Sequence, residues 1–222
     1  MPSVFDIIGP VMIGPSSSHT AGAVNIGRVA RQGLGCKPDR ADITLYGSFA
    51  QTYKGHGTDR ALIAGMLGMT TYDPNIKDAL EIAKQQGLMV NFSKKDTHHP
   101  YHSNTAKIDI YGNEHNIQIV GISIGGGRIL IKEIDDFEVE ISGEYHTIVC
   151  SYKEQVGVIA SISKILASEN VNIAFMKASR CKNRTTAIMV VEIDQPVEEH
   201  VLKRLNELEV IYHVQYVKNI ET

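Results

Sequence analysis

From about residue 145 onward, strand and helix signals alternate in an order that few folds accommodate. His146 to Tyr152 is apolar and β-branched, as a strand is. Gly157 to Ser168 reads as a helix, with Val158, Ile162, Ile165 and Leu166 on one stripe. Val171 to Ser179 and Thr185 to Ile193 read as strands around a polar turn at Cys181 to Arg184. Pro196 to Leu208 reads as a second helix, its Val201, Leu202, Leu205 and Leu208 facing inward, and Val210 to Val217 as a closing strand. The order βαββαβ is the ferredoxin-like arrangement. A unit this short has a small core, which favours pairing with a second copy.

Residues 1–144 have a different texture and are expected to form a separate domain, with residues 145–222 as the second. Gly9, Pro10, Gly14 and Pro15 break the opening into short apolar pieces. A helix of small residues should follow, with Ala23, Ile26, Ala30 and Gly33 on one face and Gly35 and Pro38 ending it. Ala41 to Phe49 reads as a strand. Gly55 to Asp59 is a turn, with Thr58 as N-cap of a helix through Leu67. Asp73-Pro74 supplies an N-cap and an N1 proline for a helix through about Gln86. Strands are expected near Leu88 to Phe92 and Ala106 to Tyr111, with a Gly112-Asn113 hairpin leading into His115 to Ile124. Gly125 to Gly127 interrupts, and strands run from Ile129 to Ile141. The fold class is α+β.

Composition removes several functions. Of 222 residues, 43 % are hydrophobic and 21 % charged, enough apolar mass for a core. A net charge of −3 lacks the basic footprint of a nucleic-acid binder. No apolar run reaches the ~20 residues of a membrane span, and no Lys or Arg precedes Arg28 to form a signal-peptide n-region. Cys36, Cys150 and Cys181 are odd in number and far apart, which excludes a disulfide framework and points to a reducing, cytoplasmic setting. They also fall short of a zinc or four-cysteine iron–sulfur site built by this chain alone.

Five segments can carry chemistry. In Gly14-Pro15-Ser16-Ser17-Ser18-His19-Thr20, hydroxyls meet a helix start, where free N–H groups and the dipole favour a carboxylate or phosphate; ordinary capping explains the same residues. Gly55-His56-Gly57-Thr58 presents a histidine between glycines, or is a plain loop. His98, His99 and His102 surround Pro100 in a spacing that fits neither a helical metal pair nor H-E-x-x-H, so a polar loop explains them better than a metal. Asn104 and Thr105 can hydrogen-bond a small polar ligand. Ser123-Ile124-Gly125-Gly126-Gly127 lacks G-x-G-x-x-G spacing and a following helix, so its glycines serve close backbone approach. The turn Lys153 to Gly157 opens the second-half helix.

Taken together and in order, G-P-S-S-S-H-T, G-H-G-T, the His102-x-Asn104-Thr105 segment and S-I-G-G-G resemble the beta subunit of iron–sulfur-dependent L-serine dehydratases, and the second half resembles an ACT domain. The resemblance implies an allosteric-substrate-binding-like domain followed by the ACT domain. It implies an L-serine ammonia-lyase that converts L-serine to pyruvate and ammonia, with a [4Fe–4S] cluster whose ligands lie on a separate alpha subunit and none on this chain. It assigns His19 and His56 to proton handling and Ser16, Ser17, Ser18 and Thr20, with His102 and Asn104, to substrate. Ser103 stands where the family is expected to carry proline. In the ACT half, Tyr152 and Glu154 replace the His and Asn that bind effector serine in related dehydrogenases, while Asn172 matches. Glu154, Gly157 and Asn172 are therefore expected to form an effector or monovalent-cation site. A homodimer through the ACT domain is expected, and neither nucleic acid nor membrane as partner. The rival readings are a non-catalytic effector-binding module and a histidine-bound metalloenzyme.

Overall fold

The computed structural model describes residues 11–95, 97, 100–113, 115–181 and 185–220. The expected breaks at Gly9 and Pro10, and His98 and His99 of the histidine loop, lie outside them. A π-helical turn, Ser17–Ala21, runs directly into α1 (Gly22–Leu34). Strand β1 (Arg40–Tyr46) is followed by α2 (Gly47–Thr52) and α3 (Thr58–Met66). A 3-10 turn (Pro74–Asp78) leads into α4 (Ala79–Gln85). Strands β2 (Met89–Lys95), β3 (Thr105–Gly112), β4 (His115–Gly125), β5 (Arg128–Ile134) and β6 (Phe137–Ile141) complete a sheet ordered β2-β1-β3-β4-β5-β6. β1 and β2 run parallel; the other neighbours are antiparallel.

The strand expected through Phe49 stops at Tyr46. Gly47 takes φ +50°, a left-handed geometry that glycine adopts without penalty, and the chain turns into α2. At α3, Gly57 takes the cap position with φ +66°, and Thr58 becomes the first helical residue, fully buried. At the next helix Asp73 caps as expected, its carboxylate accepting from the Asn75 amide at 2.8 Å, with Pro74 behind it.

Helix α1 lies between the sheet and α3. A Cβ on Gly65 would stand 2.0 Å from the Val24 carbonyl oxygen, and one on Gly27 would stand 2.2 Å from that of Leu62. Only glycine permits this approach, so the two helices pack backbone to backbone. That contact holds the start of α1, with its hydroxyl-rich turn, close to the start of α3, with His56 before it.

The second half has the expected βαββαβ order: β7 (His146–Lys153), α5 (Val158–Ser168), β8 (Ile173–Arg180), β9 (Thr186–Ile193), α6 (Glu199–Asn206) and β10 (Ile211–Val217). The sheet order is β10-β7-β9-β8, all antiparallel. Side-chain alternation gives this sheet two apolar faces. Ile148, Cys150, Tyr152, Met189 and Val191 pack with Val158, Ile162, Leu166, Val201 and Leu205 of α5 and α6. Val149, Ile188, Val190 and Val217 instead join the core of the first half. Beyond β10, the Ile220 amide donates to Gly143, and Arg28 of α1 donates to the Ile220 carbonyl at 3.0 Å. Among the described residues, no helix is long and apolar enough to cross a membrane.

Candidate functional site

The Ser-Ser-Ser-His-Thr segment does not open as a regular α-helix. The Ser16 carbonyl accepts from both the Thr20 and Ala21 amides, at 2.9 and 3.4 Å, which widens the first turn. Ser16 is the cap, its Oγ accepting from the His19 amide at 3.1 Å. The small residues here are close-fitting. A Cβ on Gly14, which has φ +120°, would stand 2.6 Å from Thr20 Cγ2, and one on Gly22 would stand 2.2 Å from Ser123 Oγ.

His19 projects from this turn into a half-buried cluster. Its ring meets His56 edge to face with centroids 4.9 Å apart, and Phe49 at 5.3 Å. Nε2 is 2.8 Å from Ser48 Oγ, while Nδ1 is 3.4 Å from Ser16 Oγ. Burial, then the neighbouring His56, holds the His19 imidazole below its ordinary pKa. The ring is therefore neutral near pH 7 and able to accept a proton.

The expected motifs converge through backbone ties. Thr20 donates its hydroxyl to the His56 carbonyl at 3.1 Å. The Ser103 carbonyl packs against Gly47, beside Ser48. The Asn104 carbonyl accepts from the Ser123 amide at 3.0 Å, and the Asn104 amide donates to His102 Nδ1 at 3.0 Å. Gly125 of the triple-glycine turn faces Ser18, and the Gly127 carbonyl accepts from Asn25 on α1 at 3.0 Å. Among the described residues, five buried polar atoms on this web, Asn25 Oδ1, His56 Nδ1, Thr58 Oγ1, Asn104 Oδ1 and Ser123 Oγ, have no hydrogen-bond partner. Buried polar groups are nearly always paired, so these five call for an explanation, and a polar ligand supplies one.

Two expectations change in detail. Ser16 and Thr20 spend their hydroxyls on the His19 amide and the His56 carbonyl, so they shape the turn. Among the described residues, the Ser17 and Ser18 hydroxyls make no such tie. Ser48 was not expected at all, because the sequence reads as strand there. Its signal was Gly47, a residue that ends a strand.

In the second half, Glu154 and Gly157 line an open cavity of about 740 Å³ with Tyr152, Val156 and Arg180. Asn172 is not among its lining residues; its side-chain amide donates to Asp194 at 2.5 Å. The cavity thus brings together Glu154 and Gly157 of the three expected residues, while Asn172 is engaged by Asp194. The carboxylate expected to face a cation instead pairs with Arg180 at 2.7 Å.

The three cysteines lie on separate elements. Cys36 follows α1 and donates its thiol to the Gly112 carbonyl, Cys150 is buried in β7, and Cys181 follows β8. Among the described residues, no three His, Cys, Asp or Glu side chains converge as metal ligands. The thiols of this chain do not fit a four-cysteine cluster.

A family model described as serine dehydratase beta chain matches residues 3–134, and an ACT domain model matches residues 146–210. The chain is 47 % identical over 212 residues to a probable L-serine dehydratase beta chain of Bacillus subtilis, covering 96 % of each. It is 40 % identical over 217 residues to the L-serine dehydratase beta chain of Peptoniphilus asaccharolyticus, covering 97 % of this chain and 98 % of that one. The L-serine dehydratase TdcG of Escherichia coli is 32 % identical over 174 residues, which cover 66 % of this chain and 38 % of the longer one.

Proposed function

The chain belongs to the serine dehydratase beta-chain family, and from that membership we propose that it forms the substrate-binding and proton-handling half of an L-serine ammonia-lyase. The enzyme is completed by a separate alpha subunit that carries the [4Fe–4S] cluster. The cysteine number, three where such a cluster takes four, supports that division, as does the relative in which the matching region is 38 % of a longer chain. The observation that carries the reading is the contact of His19 with His56, the tie from Thr20 to the His56 carbonyl, and the unpaired buried polar atoms in the same motifs.

Loss of water and ammonia from serine requires that the carboxylate be held, the α-proton removed and the hydroxide leave. Ser17 and Ser18 sit where the first amides of a helix lack intrahelical acceptors and the dipole is positive, which suits the carboxylate. Neutral His19 can take the α-proton. His56 Nδ1, Asn104 Oδ1 and Ser123 Oγ offer further polar contacts. Departure of hydroxide is assigned to the alpha subunit. Two copies of the chain pair through the ACT half, where β8 is an edge strand and Phe175 is exposed; sedimentation of the purified chain tests this.

The function itself is tested by anaerobic co-expression with the alpha subunit and a pyruvate assay on L-serine. Turnover that needs both chains supports the proposal. No pyruvate from an assembled, cluster-loaded complex overturns it.

A further inference from the structure

We propose that Ser48 is a positioning residue that fixes the imidazole of His19, engaging Nε2 so that Nδ1 is the nitrogen that exchanges a proton with substrate. The inference rests on the reading of His19 as the base.

Ser48 is itself held on both sides. Its backbone carbonyl accepts from Thr52 Oγ1 at 2.8 Å, and Gly47 before it packs against the Ser103 backbone. Phe49 after it is fully buried and touches the His19 ring. The Ser48 hydroxyl is thus anchored by the core, not by a flexible loop. At 2.8 Å it makes a full hydrogen bond with Nε2. The opposite nitrogen is less engaged, 3.4 Å from Ser16 Oγ, an oxygen already accepting from the His19 amide.

A neutral imidazole has one N–H and one lone pair. In the tautomer we propose, Nε2–H donates to Ser48 and the lone pair lies on Nδ1. In the forward step the Cα–H bond of serine breaks, its electron pair stays on carbon, and an N–H bond forms at Nδ1. The resulting imidazolium keeps its Nε2–H on Ser48, while His56 beside it disfavours the charge, so the proton is readily passed on.

The test begins with the beta chain alone, labelled with 15N-histidine. Wild type should show His19 with Nε2 protonated and Nδ1 bare. Ser48→Ala should lose that single tautomer with the fold intact, and Ser48→Thr should keep it. In the complex with the alpha subunit, Ser48→Ala should lower kcat by roughly 10- to 100-fold, part of the 10²–10⁴ that a general base contributes. KM should change little, and Ser48→Thr should restore most of kcat. An unchanged tautomer in Ser48→Ala, or a changed tautomer with wild-type kcat, overturns the proposal. Wild-type turnover in His19→Ala would instead overturn the base assignment, and the 15N result would still decide what Ser48 does.

Discussion

His19 and His56 meet edge to face with centroids 4.9 Å apart, although 36 residues separate them. The glycine-mediated contact between α1 and α3 brings them together. A charge on His19 at that distance from His56 is disfavoured, which adds to burial in holding its imidazole below the ordinary pKa.

That lowering has a pH signature. His19, His146 and His213 all have pKa values below the ordinary 6.5, each chiefly by burial. For His213 the stacked His115 adds to the effect, while Asp135 opposes it. A histidine with a lowered folded pKa is protonated first in the unfolded chain. Its contribution to stability is therefore complete above about pH 6.5 and is lost as pH falls through the folded value. Denaturant unfolding across a pH series should show stability falling on the acid side, and less steeply in His19→Asn and His213→Asn. Parallel curves for wild type and variants would contradict this.

Gly22 and Ser123 give a packing test. A methyl at Gly22 would stand 2.2 Å from Ser123 Oγ and 2.8 Å from its Cβ. Overpacking of this kind costs about 1–3 kcal/mol. Gly22→Ala should lose that much in chemical denaturation, and Ser123→Gly added to it should recover most of the loss. Equal stability of the single and double variants would show that the two do not press on each other.

Much of the fold was legible because its signals are periodic. The stripe Val158, Ile162, Leu166 and the alternation around Ile148 and Cys150 each pair an apolar spacing with a buried face. The site's elements were legible as motifs, yet their assembly was not. Nothing local says that Thr20 will donate to the His56 carbonyl, or that Gly47 will turn β1 early and aim Ser48 at His19. Asn172 and Glu154 show the reverse case: each suits a ligand by type, but Asp194 and Arg180 reach them first. Tertiary partners decided these roles, and no sequence spacing encodes them.

Glu192 joins the two halves. Only 6 % exposed, its Oε1 accepts from the Ser142 amide at 3.1 Å and from the Ser142 hydroxyl at 3.0 Å. Glu192→Leu leaves those donors unpaired, at a cost of about 1–3 kcal/mol. Glu192→Gln, which retains an acceptor oxygen, should lose less. Limited proteolysis near residue 143 should quicken in the leucine variant, and unchanged cleavage would argue against this link.

Cys150 should be chemically silent. It is fully buried in β7, and burial pushes its thiol up to about 12, so almost no thiolate exists near neutrality. Alkylation followed by mass spectrometry should modify Cys150 last, and rapidly only after unfolding. Early native-state modification would show that β7 opens.

The central claim is that His19 and His56 form this chain's part of the dehydratase site. The most direct measurement is kcat for pyruvate formation from L-serine by the anaerobically assembled complex, comparing wild type with His19→Ala and His56→Ala. The account predicts that both variants assemble normally and that His19→Ala loses roughly 100-fold or more, with a clear loss in His56→Ala. Near wild-type turnover in both would contradict it.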